Sequence, residues 1–306
     1  WRVTALCRSL GADIYHSQDT SLATYLSMRA TPRRHVVTFR DPLDGEDWSV
    51  ETDLSGKGRI GWSLYRLYID NPLVAWAVRR ADGRYCAAEF LIPKVVRKYG
   101  LQRPPEFLPT PVAIPDEVSK AECPTVCFVS RWDGRKRPEL FFELARAFPH
   151  VNFIAVGGAQ DQERDSRLRA VAAGIPNLRL TGIIDQFRSG ELHEVLSRSW
   201  VLVNTSPREG LPNAFLEAAA HRCAILSFAD PDRFASRFGC HASEGALGAG
   251  LEFLLSDHRW KALGQAGYGH VKRVFAVESA VDAHLAIYEG LLRPAALRHP
   301  AAHRHG

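Results

Sequence analysis

The chain has 306 residues, a net charge of +5 at pH 7, 46% hydrophobic residues and 24% charged residues. This length suffices for two α/β domains, and the composition is that of an ordinary globular protein, without the run of about 18 apolar residues that a membrane-spanning helix needs. Lysines and arginines are spread along the chain, so the charge leaves an anionic ligand, an anionic membrane surface, nucleic acid and a solvated mixed surface all open.

The first part of the chain mixes short strands with helices. It begins at Trp1 inside a helical pattern and without a signal peptide, and we therefore expect a fragment of a longer protein. Strands are predicted at 12–16, 35–39 and 83–87, helices at 21–28, 59–78 and 88–99, and a polar loop at 40–46. Five prolines between 104 and 115 are typical of an extended linker, which predicts a domain boundary near 116–123.

The second part alternates regularly between strands and helices. Strands are predicted at 125–129, 152–156, 178–180, 200–203 and 224–227, and helices at 138–148, 163–173, 189–197, 212–221 and 264–292. Residues 293–306 are predicted to be disordered. Strand–helix repeats with short turns predict a parallel sheet covered on both faces, whose ligands bind at the carboxyl ends of the strands.

The stretch 204–217 carries the clearest chemical signal. It follows a buried strand, has Gly210 in a polar turn, and starts a helix at Pro212. Free amides and the helix dipole at such a start form an anion site. Glu209 precedes this helix, and Glu217 leans back towards its N-terminus, where a carboxylate accepts hydrogen bonds from ribose or sugar hydroxyls. The alternative interpretation is a strand–turn–helix whose glutamates only cap and solvate.

A second loop, 130–137, follows the strand at 125–129 and therefore lies at the same edge of the sheet. It contains four cations, Arg131, Arg135, Lys136 and Arg137. Arginine binds two phosphate oxygens at once, and lysine acts as a point charge. A basic surface loop is the alternative interpretation. The two loops support each other, because one supplies cations where the other supplies amides and hydroxyl acceptors.

Together the loops resemble the C-terminal domain of the family-four retaining glycosyltransferases of the GT-B class. Arg131 and Lys136 keep the spacing of the family's Gly-Arg-x4-Lys motif, in which Ser130 replaces the glycine. Glu209 and Glu217 match its Glu-x7-Glu motif.

The resemblance covers 121–290 well and 11–120 weakly. It implies an α/β fold of two Rossmann-like domains, the first of them incomplete. We expect a partial acceptor-side domain at 1–118, a nucleotide-sugar-binding domain at 119–292 and the disordered tail at 293–306.

The resemblance also implies roles for individual residues. Arg131, Lys136 and Glu209 are the implied catalytic residues: the two cations hold the donor diphosphate, and Glu209 touches the donor sugar. Glu217 binds the ribose hydroxyls. The other implied donor-binding residues are Gly210, Leu211, Asn213, Gly157, Gly182 and Ile183.

The chain departs from the family's pattern in its first part. Arg40 stands roughly where many relatives have a histidine, and it either faces the sugar or phosphate or pairs with Asp41. His16 is a candidate on the acceptor side, with a structural role as the alternative. The family's opening glycine-rich loop is absent from this sequence.

The resemblance implies a retaining hexosyltransferase-type reaction, in which a sugar moves from a nucleotide diphosphate to an acceptor hydroxyl in glycan or glycolipid biosynthesis. Departure and attack occur on one face of the sugar, without a covalent intermediate. We expect no cofactor and no metal, because no Asp-x-Asp motif lies in a suitable loop and two cations replace a divalent ion.

Two other functions remain open: a nucleotide-sugar-binding fragment without activity, and a nucleotide-sugar epimerase. Nucleic-acid binding is not expected, since no aromatic-plus-basic recognition motif is present. The acceptor is a glycan, a lipid-linked sugar or a small molecule. The stretch 59–80 is amphipathic and either lies on a bilayer surface or packs as an ordinary helix. Six cysteines without metal-ligand spacing favour a reducing cytoplasm, with or without peripheral membrane contact.

Overall fold

The computed structural model describes residues 2–54, 59–185 and 188–293. Within these residues, contacts divide the chain into two compact units. The first unit has the outer bounds Trp1–Pro42, Ile60–Pro109 and Glu278–Gly306, and the second has Leu43–Arg59 and Thr110–Val277. The acceptor-side domain at 1–118 and the nucleotide-sugar-binding domain at 119–292 stay predictions. The predicted disordered tail lies outside the described residues, apart from Arg293.

Helices and strands follow one another along the whole described chain. The helices are α1 Arg2–Leu10, α2 Leu22–Ala30, α3 Gly45–Leu54, α4 Arg59–Ile69, α5 Pro72–Arg80, α6 Leu91–Tyr99, α7 Pro138–Ala147, α8 Gln162–Ala173, α9 Glu191–Arg198, α10 Asn213–Ala220, α11 Phe234–Phe238, α12 Leu247–Leu255, α13 Arg259–Val274 and α14 Val277–Leu292. The strands are β1 Ile14–Gln18, β2 Arg34–Phe39, β3 Gly83–Cys86, β4 Glu106–Phe107, β5 Thr125–Val129, β6 Asn152–Val156, β7 Leu178–Gly182, β8 Val201–Asn204, β9 Ala224–Ser227 and β10 Gly239–His241.

The described part of the first unit contains a four-stranded sheet in the order β1-β2-β3-β4. Its neighbouring strands all pair in parallel. In β2, Val36, Val37 and Phe39 are buried, as expected for an inner strand of a sheet covered on both faces.

The predicted long helix at 59–78 is two helices, α4 and α5. Asn71 interrupts the pattern, because its side chain accepts hydrogen bonds from the amides of Leu73 and Val74 and so begins a new helix. Pro72 occupies the first turn of that helix, where the missing N–H costs nothing.

The described part of the second unit contains a six-stranded sheet in the order β10-β9-β8-β5-β6-β7, again parallel throughout. The central strands β5 and β8 are almost wholly buried. Phe141 of α7 packs against both Phe128 and Phe153, with ring centroids 5.3 Å apart in each case. The predicted α/β fold with two parallel sheets is thus confirmed.

Candidate active site

The loop after β5 and the loop after β8 lie side by side. Because β5 pairs in parallel with β8, their carboxyl ends share one edge of the sheet. We call residues 130–137 the cationic loop and residues 204–212 the acidic loop. The Thr205 hydroxyl donates to the carbonyl of Lys136 at 2.5 Å, Arg137 Nε donates to the carbonyl of Thr205 at 2.9 Å, and the Ser206 hydroxyl donates to the carbonyl of Arg135 at 3.2 Å. Direct hydrogen bonds therefore hold the two loops together.

Lys136 and Glu209 form a buried ion pair between these loops. The ammonium group of Lys136 donates to Oε1 of Glu209, and the same oxygen accepts from Asn204 Nδ2 at 3.2 Å. Lys136 is 9% exposed, and the Glu209 side chain is 7% exposed. Two of the three predicted catalytic residues are therefore in direct contact.

The surroundings of Glu209 keep its carboxylate charged. Burial alone raises the pKa of a carboxyl group. Here the charge of Lys136, hydrogen bonds from Lys136 and Asn204, and the charge of Arg135 outweigh burial, so that the pKa of Glu209 lies below its usual value. At neutral pH the site thus presents an ammonium group and a carboxylate in contact, away from bulk water.

Arg131 has a different environment from Lys136. Its side chain is 61% exposed, and Nη2 lies 3.2 Å from Oδ2 of Asp133. The structure therefore places the two predicted phosphate-binding cations in one loop, but with separate carboxylate partners.

The acidic loop leads into α10. Pro212 is the residue before its first turn, and the helix start has no side-chain cap. Gly210 is buried, Leu211 half-buried and Asn213 exposed. Within the described residues, the carboxylate of Glu217 accepts no hydrogen bond, and burial raises its pKa above the usual value. A half-buried carboxylate of this kind lacks a partner that a ligand hydroxyl could provide.

The predicted nucleobase-side residues lie at the carboxyl ends of β6 and β7. The amide of Gly157 donates to the carbonyl of Gly182 at 2.8 Å. Both have positive φ angles, +130° and +82°. A Cβ atom on Gly158 would lie 3.3 Å from Cγ1 of Ile183, whose side chain is itself 81% exposed. These residues and the two loops therefore share one edge of the sheet.

The two predicted acceptor-side residues lie in the first unit. His16 has both ring nitrogens engaged, since Nδ1 is 2.6 Å from the Tyr288 hydroxyl and Nε2 is 2.7 Å from the Thr38 hydroxyl. Burial and then the charge of His284 lower its pKa to about 4. This arrangement fits the structural interpretation of His16, although its role in acceptor binding stays a prediction.

Arg40 follows β2 and lies near an aspartate that we did not single out from the sequence. Its amide nitrogen is 3.4 Å from Oδ1 of Asp19, which follows β1. Asp19 has a φ of +71°, and burial raises the pKa of its carboxyl group. A polar residue at the carboxyl end of a parallel strand is a usual site residue, and that rule would have identified Asp19.

Two further charged residues of the second unit adjoin the two loops. Asp47 and Glu51 of α3 form ion pairs with Arg208 of the acidic loop. The sequence prediction has a polar loop at 40–46 and no helix between there and residue 59, so the helical i, i+4 spacing of Asp47 and Glu51 within α3 was missed. The described residues contain no group of three or more side chains that could hold a metal ion. No helix among them is long and apolar enough to cross a membrane.

The fold is that of the GT-B glycosyltransferases. Sucrose-phosphate synthase from Thermosynechococcus elongatus matches 94% of this chain over 75% of its own, with a TM-score of 0.72 and 17% identity. A glycosyltransferase from Rickettsia africae ESF-5 matches 96% over 80%, with a TM-score of 0.70 and 13% identity. HepE from Anabaena, solved with UDP-glucose, matches 94% over 81%, with a TM-score of 0.69 and 13% identity.

The family is indicated by sequence as well. Residues 123–240 match the family model described as "Glycosyl transferases group 1". This range contains both loops, so the resemblance to this family is confirmed where its motifs lie. No curated protein matches the chain in sequence.

Replacement of Gly157 by alanine tests how closely the ends of β5 and β6 approach each other at the site edge of the six-stranded sheet. A Cβ atom there would lie 1.9 Å from the carbonyl oxygen of Ser130, in a backbone region that favours glycine. We expect Gly157→Ala to lower the free energy of unfolding by about 2 kcal/mol or more.

The measurement is urea denaturation followed by circular dichroism. Gly190→Ala is the matched control, because a Cβ atom at Gly190 would meet none of the described residues within 4 Å beyond its own chain neighbours. Equal stability of both variants and the wild type would contradict the close contact between Gly157 and the carbonyl oxygen of Ser130.

Proposed function

We propose that this chain transfers a sugar from a nucleotide-diphosphate donor to an acceptor hydroxyl, with the anomeric configuration retained. The observation that carries the proposal is the buried pair of Lys136 and Glu209 next to the start of α10. The family match over 123–240 supports glycosyl transfer. HepE was solved with UDP-glucose, and this favours a UDP-linked donor for this chain.

The diphosphate takes the place of Glu209 as partner of Lys136. Phosphate oxygens carry more negative charge than a carboxylate, and a helix start offers them free amides. The exchange frees the Glu209 carboxylate to accept a hydrogen bond from a donor-sugar hydroxyl. Arg131 is exposed and swings onto the same diphosphate. Glu217, unpaired within the described residues, accepts from the ribose hydroxyls.

Bond breaking follows from this placement. As the bond between the anomeric carbon and the phosphate oxygen lengthens, its electron pair moves to the diphosphate and the sugar becomes positive. Lys136, Arg131 and the amides at the start of α10 stabilise the negative charge. The acceptor oxygen attacks on the face that the diphosphate leaves, and its proton passes to a phosphate oxygen. In this mechanism no residue forms a covalent intermediate.

The same cations replace a divalent metal ion, and no cofactor takes part. We propose a hexosyl donor and a cytoplasmic enzyme. The location rests on six free thiols, which suit a reducing compartment.

Two other functions would use the same nucleotide-sugar-binding residues. An epimerase would release free sugar from a nucleotide sugar without an acceptor, and a binding fragment would turn over nothing. Incubation of the chain with UDP-glucose, with and without acceptor hydroxyls, separates these three functions. Transfer products are expected only with the acceptor present.

Replacement of Lys136 tests the phosphate role. We expect Lys136→Ala to reduce transfer by about 10²–10³-fold, as for loss of one preorganised charge-stabilising group. Lys136→Gln, which keeps a hydrogen-bond donor for Glu209 and loses the charge, should show a similar loss.

Initial rates and the midpoint of thermal unfolding are measured together. Lys272→Ala, an exposed lysine of α13, is the control and should behave like the wild type. Wild-type rates in both Lys136 variants would refute the proposed role of this cation.

We also propose that α4 contacts an anionic lipid surface, which places the acceptor among lipid-linked substrates. Ile60, Leu64 and Leu67 are spaced as one stripe of a helix and are 78%, 63% and 64% exposed. Such a stripe on one short helix is unusual for a surface that faces only water. No acidic residue interrupts α4, and Arg66 is exposed. Apolar residues with nearby cations suit the interface of an anionic bilayer.

Acidic residues on this stripe should abolish lipid binding. We expect the wild type to sediment with vesicles containing phosphatidylglycerol more than with vesicles of phosphatidylcholine alone. The double variant Leu64→Glu/Leu67→Glu should lose about tenfold in binding, since burial of two leucines is replaced by two like charges. Val171→Glu, at an exposed apolar position of α8, is the control. Equal sedimentation of all three proteins would exclude α4 as the contact.

A further inference from the structure

Two carboxylates of α3 bind two arginines that adjoin the proposed catalytic pair. Glu51 Oε1 lies 2.8 Å from Arg135 Nη1 and 3.1 Å from Arg208 Nη1. Asp47 Oδ1 lies 2.6 Å from Arg208 Nε. The exposed fractions of these four side chains are only 8–17%. One oxygen of Glu51 thus joins the two loops.

The arginines are the sequence neighbours of the catalytic pair. Arg135 precedes Lys136 in the cationic loop, and Arg208 precedes Glu209 in the acidic loop. A shift of either guanidinium group therefore moves the backbone that carries the ammonium group or the carboxylate. We propose that Asp47 and Glu51 are positioning residues, which hold both loops at the spacing that donor binding requires. This inference rests on the proposed function.

Charge balance explains why carboxylates are needed here. Arg135, Lys136 and Arg208 are three cations in a poorly hydrated region, and Asp47, Glu51 and Glu209 offset them. Removal of one partner of a buried pair leaves an uncompensated charge and destabilises the arrangement. Without Glu51, the guanidinium groups that share its oxygen repel each other, and the loops move apart.

The helix itself is held in place, so its carboxylates have fixed positions. The amides of Glu46 and Asp47 donate to Oδ1 of Asp44, each at 3.1 Å, and the amide of Asp44 donates to Oδ2 of Asp47 at 2.8 Å. The side chains of Leu43 and Trp48 are buried. This anchoring gives α3 the rigidity that a positioning element needs.

A competing role for the two carboxylates predicts the opposite change in nucleotide affinity. If Asp47 and Glu51 instead occupied the place of the donor phosphates, their removal would free Arg135 and Arg208 and tighten nucleotide binding. A purely structural role would change only the thermal stability. The three roles therefore differ in their effect on nucleotide affinity.

The test is calorimetric titration with UDP at a temperature well below unfolding. We expect Glu51→Gln to weaken UDP binding about tenfold and Asp47→Asn about threefold, because Glu51 binds arginines of both loops and Asp47 binds Arg208 of the acidic loop. Glu46→Gln, which removes an exposed acid from the same helix, should bind as the wild type does. Amide hydrogen exchange over 131–137 and 204–210 should be faster in Glu51→Gln and unchanged in Glu46→Gln.

A double-mutant cycle checks that Glu51 acts through the loops. In Lys136→Gln, the further change Glu51→Gln should weaken UDP binding much less than tenfold. The positioning role is overturned if the two changes weaken UDP binding independently. It is also overturned if Glu51→Gln lowers the unfolding midpoint without changing the UDP affinity, or if Glu51→Gln binds UDP more tightly than the wild type. If the wild type itself does not bind UDP, the proposed function fails together with the positioning role. If the wild type binds UDP and Glu51→Gln gives one of the contradicting results, the positioning role alone fails.

Discussion

A buried ammonium–carboxylate pair, Lys136 with Glu209, is the interaction on which the site depends. Two ions out of water are costly unless each satisfies the other. Here a third donor, Asn204, and the hydrogen bonds between the two loops hold the pair in place. An anionic ligand that replaces Glu209 next to Lys136 finds a cation already dehydrated and oriented. This is the condition under which electrostatic stabilisation of a leaving group is most effective.

The edge of the six-stranded sheet surrounds this pair with further polar and charged groups. The parallel sheet brings loop ends from β5, β6, β7 and β8 to one edge, because all their carboxyl ends point the same way. At that edge, Gly157 permits a close approach of backbone, Gly182 adopts a positive φ of +82°, and the start of α10 offers amides. Around the Lys136–Glu209 pair, the charges of Arg135 and Arg208 are balanced by those of Asp47 and Glu51. Lys136 can therefore exchange Glu209 for a ligand without disturbing these ion pairs.

Local patterns were sufficient to predict eight of the ten described strands, but not β4 and β10, and to place the cationic and acidic loops at one edge of a sheet. Uninterrupted apolar runs at 125–129 and 200–203 identify inner strands, and polar residues directly after them identify site loops. The same rule, applied to the first unit, would have found Asp19. The split of 59–78 was also visible in Asn71 and Pro72, but the apolar period on both sides obscured it.

The contribution of α3 was not predictable from local sequence. Gly45 and several aspartates favour a turn, and the helix is stabilised by capping and by buried contacts of Leu43 and Trp48. Its ion pair with Arg208 joins residues 161 positions apart. Such a pair depends on tertiary packing, and no periodicity or motif spacing encodes it in one sequence.

A crystal structure of this chain with UDP would show which group pairs with Lys136. We expect a diphosphate oxygen at about 3 Å from Lys136 Nζ, at hydrogen-bond distance. We also expect that Glu209 no longer bonds Lys136 and that the ribose hydroxyls contact Glu217. A nucleotide bound elsewhere, with the Lys136–Glu209 pair intact, would contradict this exchange of partners.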